Sequence, residues 1–409
     1  MTAHEPDGHS TRATAGAAEE SFWSTLPQPV IGLSPMDGVT DAPFRRIVVR
    51  YGAPDVTLTE FTNVGDMCHG RHALSSLLYS NEERPVVAQL YGKDPALFYE
   101  AAHVVCELGF DGLDINMGCP SKNVAASGSG AGLIRTPDLA GEIIRAARQG
   151  VLDWANGQTL RGAGLKAARV ELVASMNAAW SRLPARRRVI PVSVKTRLGY
   201  DSVIVERWIS QLLHERPVVI SLHGRTLEQM YRGSADWTAI AQAVRLARGT
   251  GTLVFGNGDV QTMQDVVTRV RDTGVHGVLI GRGTLGTPWF FRTKEPARAQ
   301  AALGRRDDAP EGLEAVLDVE VPLEERFRIM IEHAREFETI FGGEWFPRMR
   351  KHLAWYCKGF PHAAALRASM VRASSSRDVE ERLVRHRAHA GSPAVVSLEP
   401  PLIVAAPCA

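Results

Sequence analysis

Cysteine is scarce in this 409-residue chain and follows no pattern. The five thiols are Cys68, Cys106, Cys119, Cys357 and Cys408, and no two stand as Cys-x-x-Cys. An odd, scattered set argues against a disulfide framework and a zinc site, and it fits a reducing cytoplasm. His, Asp and Glu do not fall at metal-ligand spacing either, so no metal is expected. Long apolar runs are also missing. None reaches the ~18–20 residues of a membrane-spanning helix, so no membrane partner is expected. Residues 1–21 are small and polar, lack an apolar signal core and read as a disordered leader. The one Gly-x-Gly-x-x-Gly, at 281–286, comes after the last β-rich run, with no further strand to complete a dinucleotide-binding unit, and there is no Walker-type loop. A nicotinamide cofactor would therefore have to enter transiently, over another cofactor. Excess charge is absent as well: the formal net charge is +2. That excludes a uniformly basic coat for nucleic acid but leaves room for a local patch. Nothing signals a stable protein partner, and a monomer is expected.

What the chain does have is apolar sequence, 44% of its residues, in short blocks. Eight β-rich runs recur: Val30–Met36, Val56–Phe61, Pro85–Leu90, Gly112–Asn116, Val189–Thr196, Val218–His223, Thr252–Gly256 and Gly277–Ile280. Most are nearly continuous rather than alternating, as strands buried on both faces of a parallel sheet read. Amphipathic segments lie between them, among them Ala96–Leu108, Pro137–Ala147, Val203–Leu213 and Thr262–Asp272. The pattern is α/β, and eight strands with helices is the count of a (β/α)8 TIM barrel. A doubly wound sheet is the alternative, because alternation does not prove closure. The barrel should span residues 22–296, with an insertion at 150–188. Within the insertion, Gly162–Leu183 reads as a helix with Leu165, Val173, Met176 and Trp180 as apolar contacts. Arg186, Arg187 and Arg188 close it, as a solvated end or as a site for a polyanion. Residues 297–321 read as a linker. Helices without strands follow over 322–390, with ten Lys/Arg against three Asp/Glu between Trp345 and Ala390. The Ala/Pro-rich residues 391–409 read as a disordered tail.

Barrels of this type carry their active sites at the C-terminal ends of the strands. Those ends are Met36, Glu60, Gln89, Asn116, Lys195, His223, Asn257 and Gly281, a mostly polar set beside apolar runs. After Asn116 the chain breaks at Gly118 and sets Cys119 on a loop before Pro120, which cannot continue a ladder. A thiol there suits a nucleophile or a proton donor; a half-buried structural Cys is the plain alternative. Asn257-Gly258-Asp259 and Gly281-Arg282-Gly283 are successive glycine turns after the last two strands. Such loops bind phosphate through backbone N–H groups, and Arg282 would add charge-assisted bonds. Lys195 ends an apolar strand and needs an anionic partner if it is to keep its proton. An electron-rich cofactor ring would serve, with Gln89 and His223 bonding to a flat heterocycle.

Taken together, these segments closely resemble the flavin-dependent tRNA-dihydrouridine synthases. The resemblance runs from about Val30 to Leu383. It rests on Pro35-Met36-Asp37-Gly38-Val39-Thr40-Asp41, Ala88-Gln89-Leu90-Tyr91-Gly92, Asn116-Met117-Gly118-Cys119-Pro120 and Val194-Lys195-Thr196-Arg197. His223-Gly224-Arg225-Thr226, Asn257-Gly258-Asp259, Gly281-Arg282-Gly283 and Lys351-His352-Leu353-Ala354-Trp355-Tyr356 complete it. Within the family, the segments around Cys119 and His223 are most similar to the bacterial C type. The resemblance implies an FMN-containing barrel that uses NADPH to reduce the C5–C6 bond of selected tRNA uridines. It implies hydride delivery to C6 and proton delivery to C5 by Cys119. It places Pro35, Met36, Asp37, Gln89, Lys195, His223, Asn257, Gly258, Asp259, Gly281 and Arg282 around FMN. It places Asn116 and Arg197 on the substrate uridine and its backbone. The helical domain would bind tRNA, with Arg348, Arg350 and Lys351 as its basic contacts. The competing readings are an FMN barrel acting on a small molecule and a non-catalytic RNA-binding barrel.

Overall fold

A computed structural model describes residues 21–70, 73–179, 186–303, 317 and 319–389. Residues 1–20 of the leader, the tail, Trp180 and Leu183 lie outside the described residues. The chain divides into two units, 1–320 and 321–409.

Strands β1 (Val30–Leu33), β2 (Thr57–Leu58), β3 (Thr62–Asn63), β4 (Val86–Tyr91) and β5 (Gly112–Met117) lead the first unit. They are followed by β6 (Val192–Arg197), β7 (Val219–His223), β8 (Leu253–Asn257) and β9 (Gly277–Ile280). All pairings are parallel, in the order β1-β9-β8-β7-β6-β5-β4-β2, with β3 also on β4. Two backbone bonds join the ends of that order. Leu33 N–H donates to Val56 O, and Asp55 N–H donates to Ile31 O, each at 3.0 Å. The sheet therefore closes into a barrel, and the doubly wound alternative falls.

The second strand differs from the expected Val56–Phe61: it is broken into β2 and β3. Thr59 explains the break. Its hydroxyl accepts the Gln89 N–H at 3.0 Å. A side chain thus fills a ladder position while the backbone detours through Glu60 and Phe61.

Strand parity sorts the side chains. Leu113, Ile115 and Met117 of β5 join the large core beneath the helices. Asp114 and Asn116, on the other face of that strand, point into the barrel. The lower interior is an apolar plug of Val30, Leu58, Val87, Val219, Phe255 and Leu279, closed by Trp23 edge-on to Phe255 at 5.4 Å. Gly112 makes room there, since an added Cβ would lie 3.3 Å from the Phe22 ring.

Asp55 locks the same end. Its carboxylate accepts from Ile31 N–H, Lys294 Nζ and Arg298 Nη2 at 2.5–2.7 Å. Lys294 and Arg298 belong to the helix Lys294–Ala302. The expected linker thus opens with a helix bonded back to the first strand.

The long connection before β6 also differs from expectation. The helix Pro137–Ala155 continues through Gly150. There, an added Cβ would meet Tyr99 O at 2.5 Å, so glycine lets two helices approach closely. The helix Ala167–Ala179 follows, with Leu165 and Val173 buried and Met176 partly buried against the core. Arg187 Nη1 donates to Trp154 O and Gln158 O and its guanidinium lies 4.4 Å from the Trp154 ring. Arg188 pairs with Asp111 at 2.9 Å. Arg187 thus ties this segment to the end of the helix Pro137–Ala155. Asp111 precedes β5 and Arg188 precedes β6, so that pair braces the N-terminal ends of the strands. That is the face opposite the strand ends expected to carry the chemistry. No helix among the described residues is long and apolar enough to cross a membrane.

The second unit packs helices Leu323–Phe341, Arg350–Tyr356, Ala363–Met370 and Ser376–His389 around Phe327, Phe337, Phe346, Leu353, Leu366 and Leu383. His333 and His352 are buried there with ring centroids 4.9 Å apart. Burial pushes the His333 pKa down to about 3 and holds His352 well below its usual value. Unfolding frees both imidazoles to bind protons below about pH 6.5, while the folded state stays neutral until far lower pH. Stability is therefore intact above pH ~6.5 and lost as pH falls toward ~3. Wild type should lose about 2 kcal/mol more than His333→Gln between pH ~6.5 and ~5. Urea unfolding of both proteins at the two pH values measures the difference, and equal losses would contradict it.

Candidate active site

A cavity of about 510 Å³ opens at the C-terminal ends of the strands, and Cys119 and every barrel residue that the resemblance assigned to cofactor or substrate line it. Glu60 of the strand-end set does not line it; its neighbour Phe61 does.

The thiol end is built on β5. Asn116 Oδ1 accepts the N–H groups of Gly118 and Cys119 at 3.0 and 2.8 Å. Arg197 Nε donates to Gly118 O at 2.7 Å, and its Nη1 donates to Thr226 O at 3.0 Å. The turn carrying Cys119 is thus held from both sides. It runs against β6, where a Cβ on Gly118 would sit 3.2 Å from Thr196 backbone. Asn116 and Arg197 spend much of their hydrogen-bonding capacity on the protein's own loop, although both still line the cavity.

Cys119 is 5% exposed. Burial raises its pKa, with Asp37 adding to the effect and Arg197 and Lys195 opposing it. It is a thiol at neutral pH, which suits a proton donor better than a nucleophile.

The centre holds Gln89, Lys195, His223 and Asn257. Burial, helped by Arg197, lowers the Lys195 pKa to about 8, while Asp114 and Cys119 act against that. Lys195 Nζ donates to Asn257 Oδ1 at 3.4 Å, and Asn257 Nδ2 donates to Leu279 O at 2.7 Å. Lys195 makes no ion pair within 4 Å among the described residues. Burial and the surrounding cations hold the His223 pKa well below its usual value, so its imidazole is neutral.

The far end is an anion cradle. The Gly258 and Gly281 N–H groups make no backbone hydrogen bond among the described residues. Gly258 has φ +127°, and a Cβ there would lie 2.7 Å from Ala235 Cβ. Asp259, at φ +49°, accepts from Arg225 Nη2 and Ala235 N–H at 2.7 Å and from Arg282 Nη2 at 3.0 Å. Its carboxylate orients the two arginines rather than meeting a phosphate itself, which it would repel. Arg282 is half exposed and keeps further N–H groups for a ligand.

The first loop is fixed from below. Met36 N–H donates to Thr40 Oγ1 at 3.0 Å, and buried Arg45 donates to Thr40 O at 2.7 Å while paired with buried Glu83 at 2.6 Å. This presents Pro35, Met36 and Asp37 to the cavity.

Phe61, Met230, Tyr231 and Gln261 also line the cavity and were not singled out from the sequence. They sit on irregular loops, where no periodicity marks them. Asp114 was overlooked as well, although its spacing of two from Asn116 on one strand puts both on the inner face.

In the helical unit, Arg348 lies over the exposed Trp345 ring at 4.2 Å. Arg350 is partly buried and its Nε donates to Ala373 O at 2.8 Å, so part of its hydrogen-bonding capacity braces the turn after the helix Ala363–Met370. Lys351 is half-buried.

The sequence profile described as "Dihydrouridine synthase (Dus)" matches residues 32–153 and 162–390. Its one interruption falls in the long connection before β6. A Staphylococcus epidermidis protein named probable tRNA-dihydrouridine synthase is 32% identical over 372 residues, 89% of this chain and 96% of that protein. Probable tRNA-dihydrouridine synthase 2 of Bacillus subtilis is 33% identical over 370 residues, again 89% and 96%. A Staphylococcus aureus protein named probable tRNA-dihydrouridine synthase is 36% identical over 285 residues, 68% of this chain and 75% of that protein.

The raised Cys119 pKa has a direct consequence. Alkylation of Cys119 by iodoacetamide, followed by peptide mass spectrometry, should keep accelerating as pH rises past the ordinary thiol value of 9.0. A plateau below about pH 8 would mean a thiolate and would remove the proton-donor assignment.

Proposed function

The chain belongs to the dihydrouridine synthase family, and we propose that it reduces the C5–C6 double bond of tRNA uridines to 5,6-dihydrouridine, with FMN resident in the barrel and NADPH as transient reductant. The observation that carries this reading is a buried Cys119 held at one end of a cavity whose other end is an anion cradle.

The residues present fit a flavin mononucleotide. The N–H groups at Gly258 and Gly281, with Arg282, suit the phosphate. Glycine suits these turns, since an added Cβ would meet Ala235 Cβ at 2.7 Å from position 258 and Met36 Sδ at 3.3 Å from position 281. Lys195 is a partly buried cation whose proton would be secured by negative charge on a ring. Gln89 and His223 offer hydrogen bonds to a flat heterocycle. Among the described residues no strand follows the Gly-x-Gly-x-x-Gly at 281–286 to complete a dinucleotide-binding unit, so NADPH would enter transiently. When bound, the flavin supplies the hydride that adds to uracil C6.

The chain's own work is positioning and proton delivery. A stacked uridine is out of reach, so the base must be turned into the cavity. Hydride addition at C6 leaves the electron pair at C5. The Cys119 S–H bond breaks toward that carbon, and the thiolate left behind is stabilised by Lys195 and Arg197. Asn116 and Arg197 keep the thiol's loop in place, and the remaining donor capacity of both faces the cavity.

The assignment divides the reaction into separable halves. Cys119→Ala, purified yellow with FMN, should be reduced by NADPH at the wild-type rate. Single-turnover reduction of tRNA by the pre-reduced variant should be at least ~100-fold slower, within the usual contribution of a positioned acid. Wild-type single-turnover rates would exclude the role of Cys119. Loss of a dihydrouridine from the tRNA of a strain lacking the gene tests the activity itself.

Binding of tRNA by the helical unit is proposed on the exposed Trp345–Arg348 stack and Lys351. Arg348→Ala combined with Lys351→Ala should weaken tRNA binding and leave flavin content unchanged. The log–log salt slope should fall by up to about 0.9 for each duplex phosphate that the variant no longer neutralises. Filter binding across salt concentrations measures it; an unchanged slope would move the tRNA to another surface.

A further inference from the structure

Asp114 takes no part in the chemistry above, yet it is 1% exposed on the inner face of β5, beneath the cavity. Its Oδ1 accepts from Ser193 Oγ at 2.6 Å and its Oδ2 from Gln89 Nε2 at 2.8 Å. Gln89 Oε1 in turn accepts from Asn116 Nδ2 at 2.9 Å. Asn116 Oδ1 then accepts the Gly118 and Cys119 N–H groups at 3.0 and 2.8 Å. We propose that Asp114 is a positioning residue: through Gln89 and Asn116 it fixes the orientation of both cavity-lining amides and the backbone on which Cys119 stands.

The direction of each bond carries the argument. A side-chain amide can turn over at little steric cost, exchanging its oxygen for its NH2. Here both ends of the chain forbid that. An ionised carboxylate only accepts, so Gln89 must turn its NH2 toward Asp114. Backbone N–H groups only donate, so Asn116 must turn its oxygen toward the loop. Between those two pins, one arrangement satisfies every group. Gln89 then has one remaining Nε2–H, a fixed donor.

A buried carboxylate is costly unless donors surround it. Asp114 has Ser193, Gln89 and the field of Lys195, and burial still pushes its pKa up to about 6. Asp55 makes a useful contrast, because its partners all brace the closed end of the barrel. Those of Asp114 lead to cavity residues.

The proposal rests on the reading above only for what a positioned thiol does. Its test is therefore read without tRNA or NADPH. Cys119 in the FMN-bound protein is alkylated with iodoacetamide and the rate followed by peptide mass spectrometry. Asp114→Ala should raise that rate about fivefold or more, and Asn116→Ala at least as much. Residues acting through one chain are not additive. The double variant should therefore match Asn116→Ala within about twofold. Asp114→Asn, whose oxygen can still accept from Gln89, should restore a rate within about twofold of wild type. Multiplying effects in the double variant would overturn the proposal. So would a lowered melting temperature for Asp114→Ala with unchanged Cys119 reactivity, since that describes an ordinary buried acid. If Asp114→Ala does not fold, Gln89→Leu breaks the chain one link further on. It must then show the same non-additivity with Asn116→Ala, and additive effects there overturn the proposal equally. A wild-type chain that makes no dihydrouridine would count against the functional reading and leave this relay standing.

Discussion

The hydrogen-bond chain from Ser193 through Asp114, Gln89 and Asn116 to the Cys119 backbone joins β6, β5 and β4 to the loop that bears the thiol. It exists because the barrel interior serves two ends. Below, the strands meet in an apolar plug around Phe255 and Leu279. Above, they must present polar groups to a ligand. The layer between is buried yet polar, and such a layer is tolerable only if every donor and acceptor has a partner. Meeting that demand also immobilises the groups that line the cavity.

Electrostatics follow from the same layering. Lys195, Arg197, Arg225 and Arg282 crowd one side of the barrel, and Asp114 and Asp259 are the carboxylates set against them. Burial lowers the Lys195 pKa to about 8 and the Arg197 pKa to about 10, and it keeps His223 neutral. The site is thus poised to receive negative charge at its cradle and at its centre. Cys119 feels these cations, yet burial outweighs them and keeps the proton on sulfur. One desolvated environment thereby weakens the hold of lysine on its proton and strengthens that of the thiol.

Several charged groups outside the cavity serve architecture instead. Asp55 ties the helix Lys294–Ala302 to β1, Arg188 braces the strand beginnings, Arg187 holds the end of the helix Pro137–Ala155, and Arg350 holds the turn after the helix Ala363–Met370 through Ala373 O. Each guanidinium here meets backbone carbonyls or a carboxylate, as its five donors in a rigid fork allow. A count of basic residues therefore overstates the surface available to nucleic acid.

The sequence by itself determined the alternation of buried strands and helices, the polar strand ends, the thiol after β5 and the glycine turns after β8 and β9. These are local patterns, written in periodicity and in residues that break it, and they sufficed to bring the candidate site together on one face. The tertiary structure alone decided closure, through Leu33 with Val56 and Ile31 with Asp55. It also decided the partners of each polar side chain. Thr59 splits the second strand because it reaches Gln89, thirty positions away. Asp114 is set by Ser193, seventy-nine positions away. Asn116 and Arg197 turn to the Cys119 loop, Arg350 to Ala373 O and Arg188 to Asp111, for the same reason. A hydrogen bond is settled by which donor and acceptor the fold brings within ~3 Å, and in a barrel the neighbours across the sheet are remote in the chain.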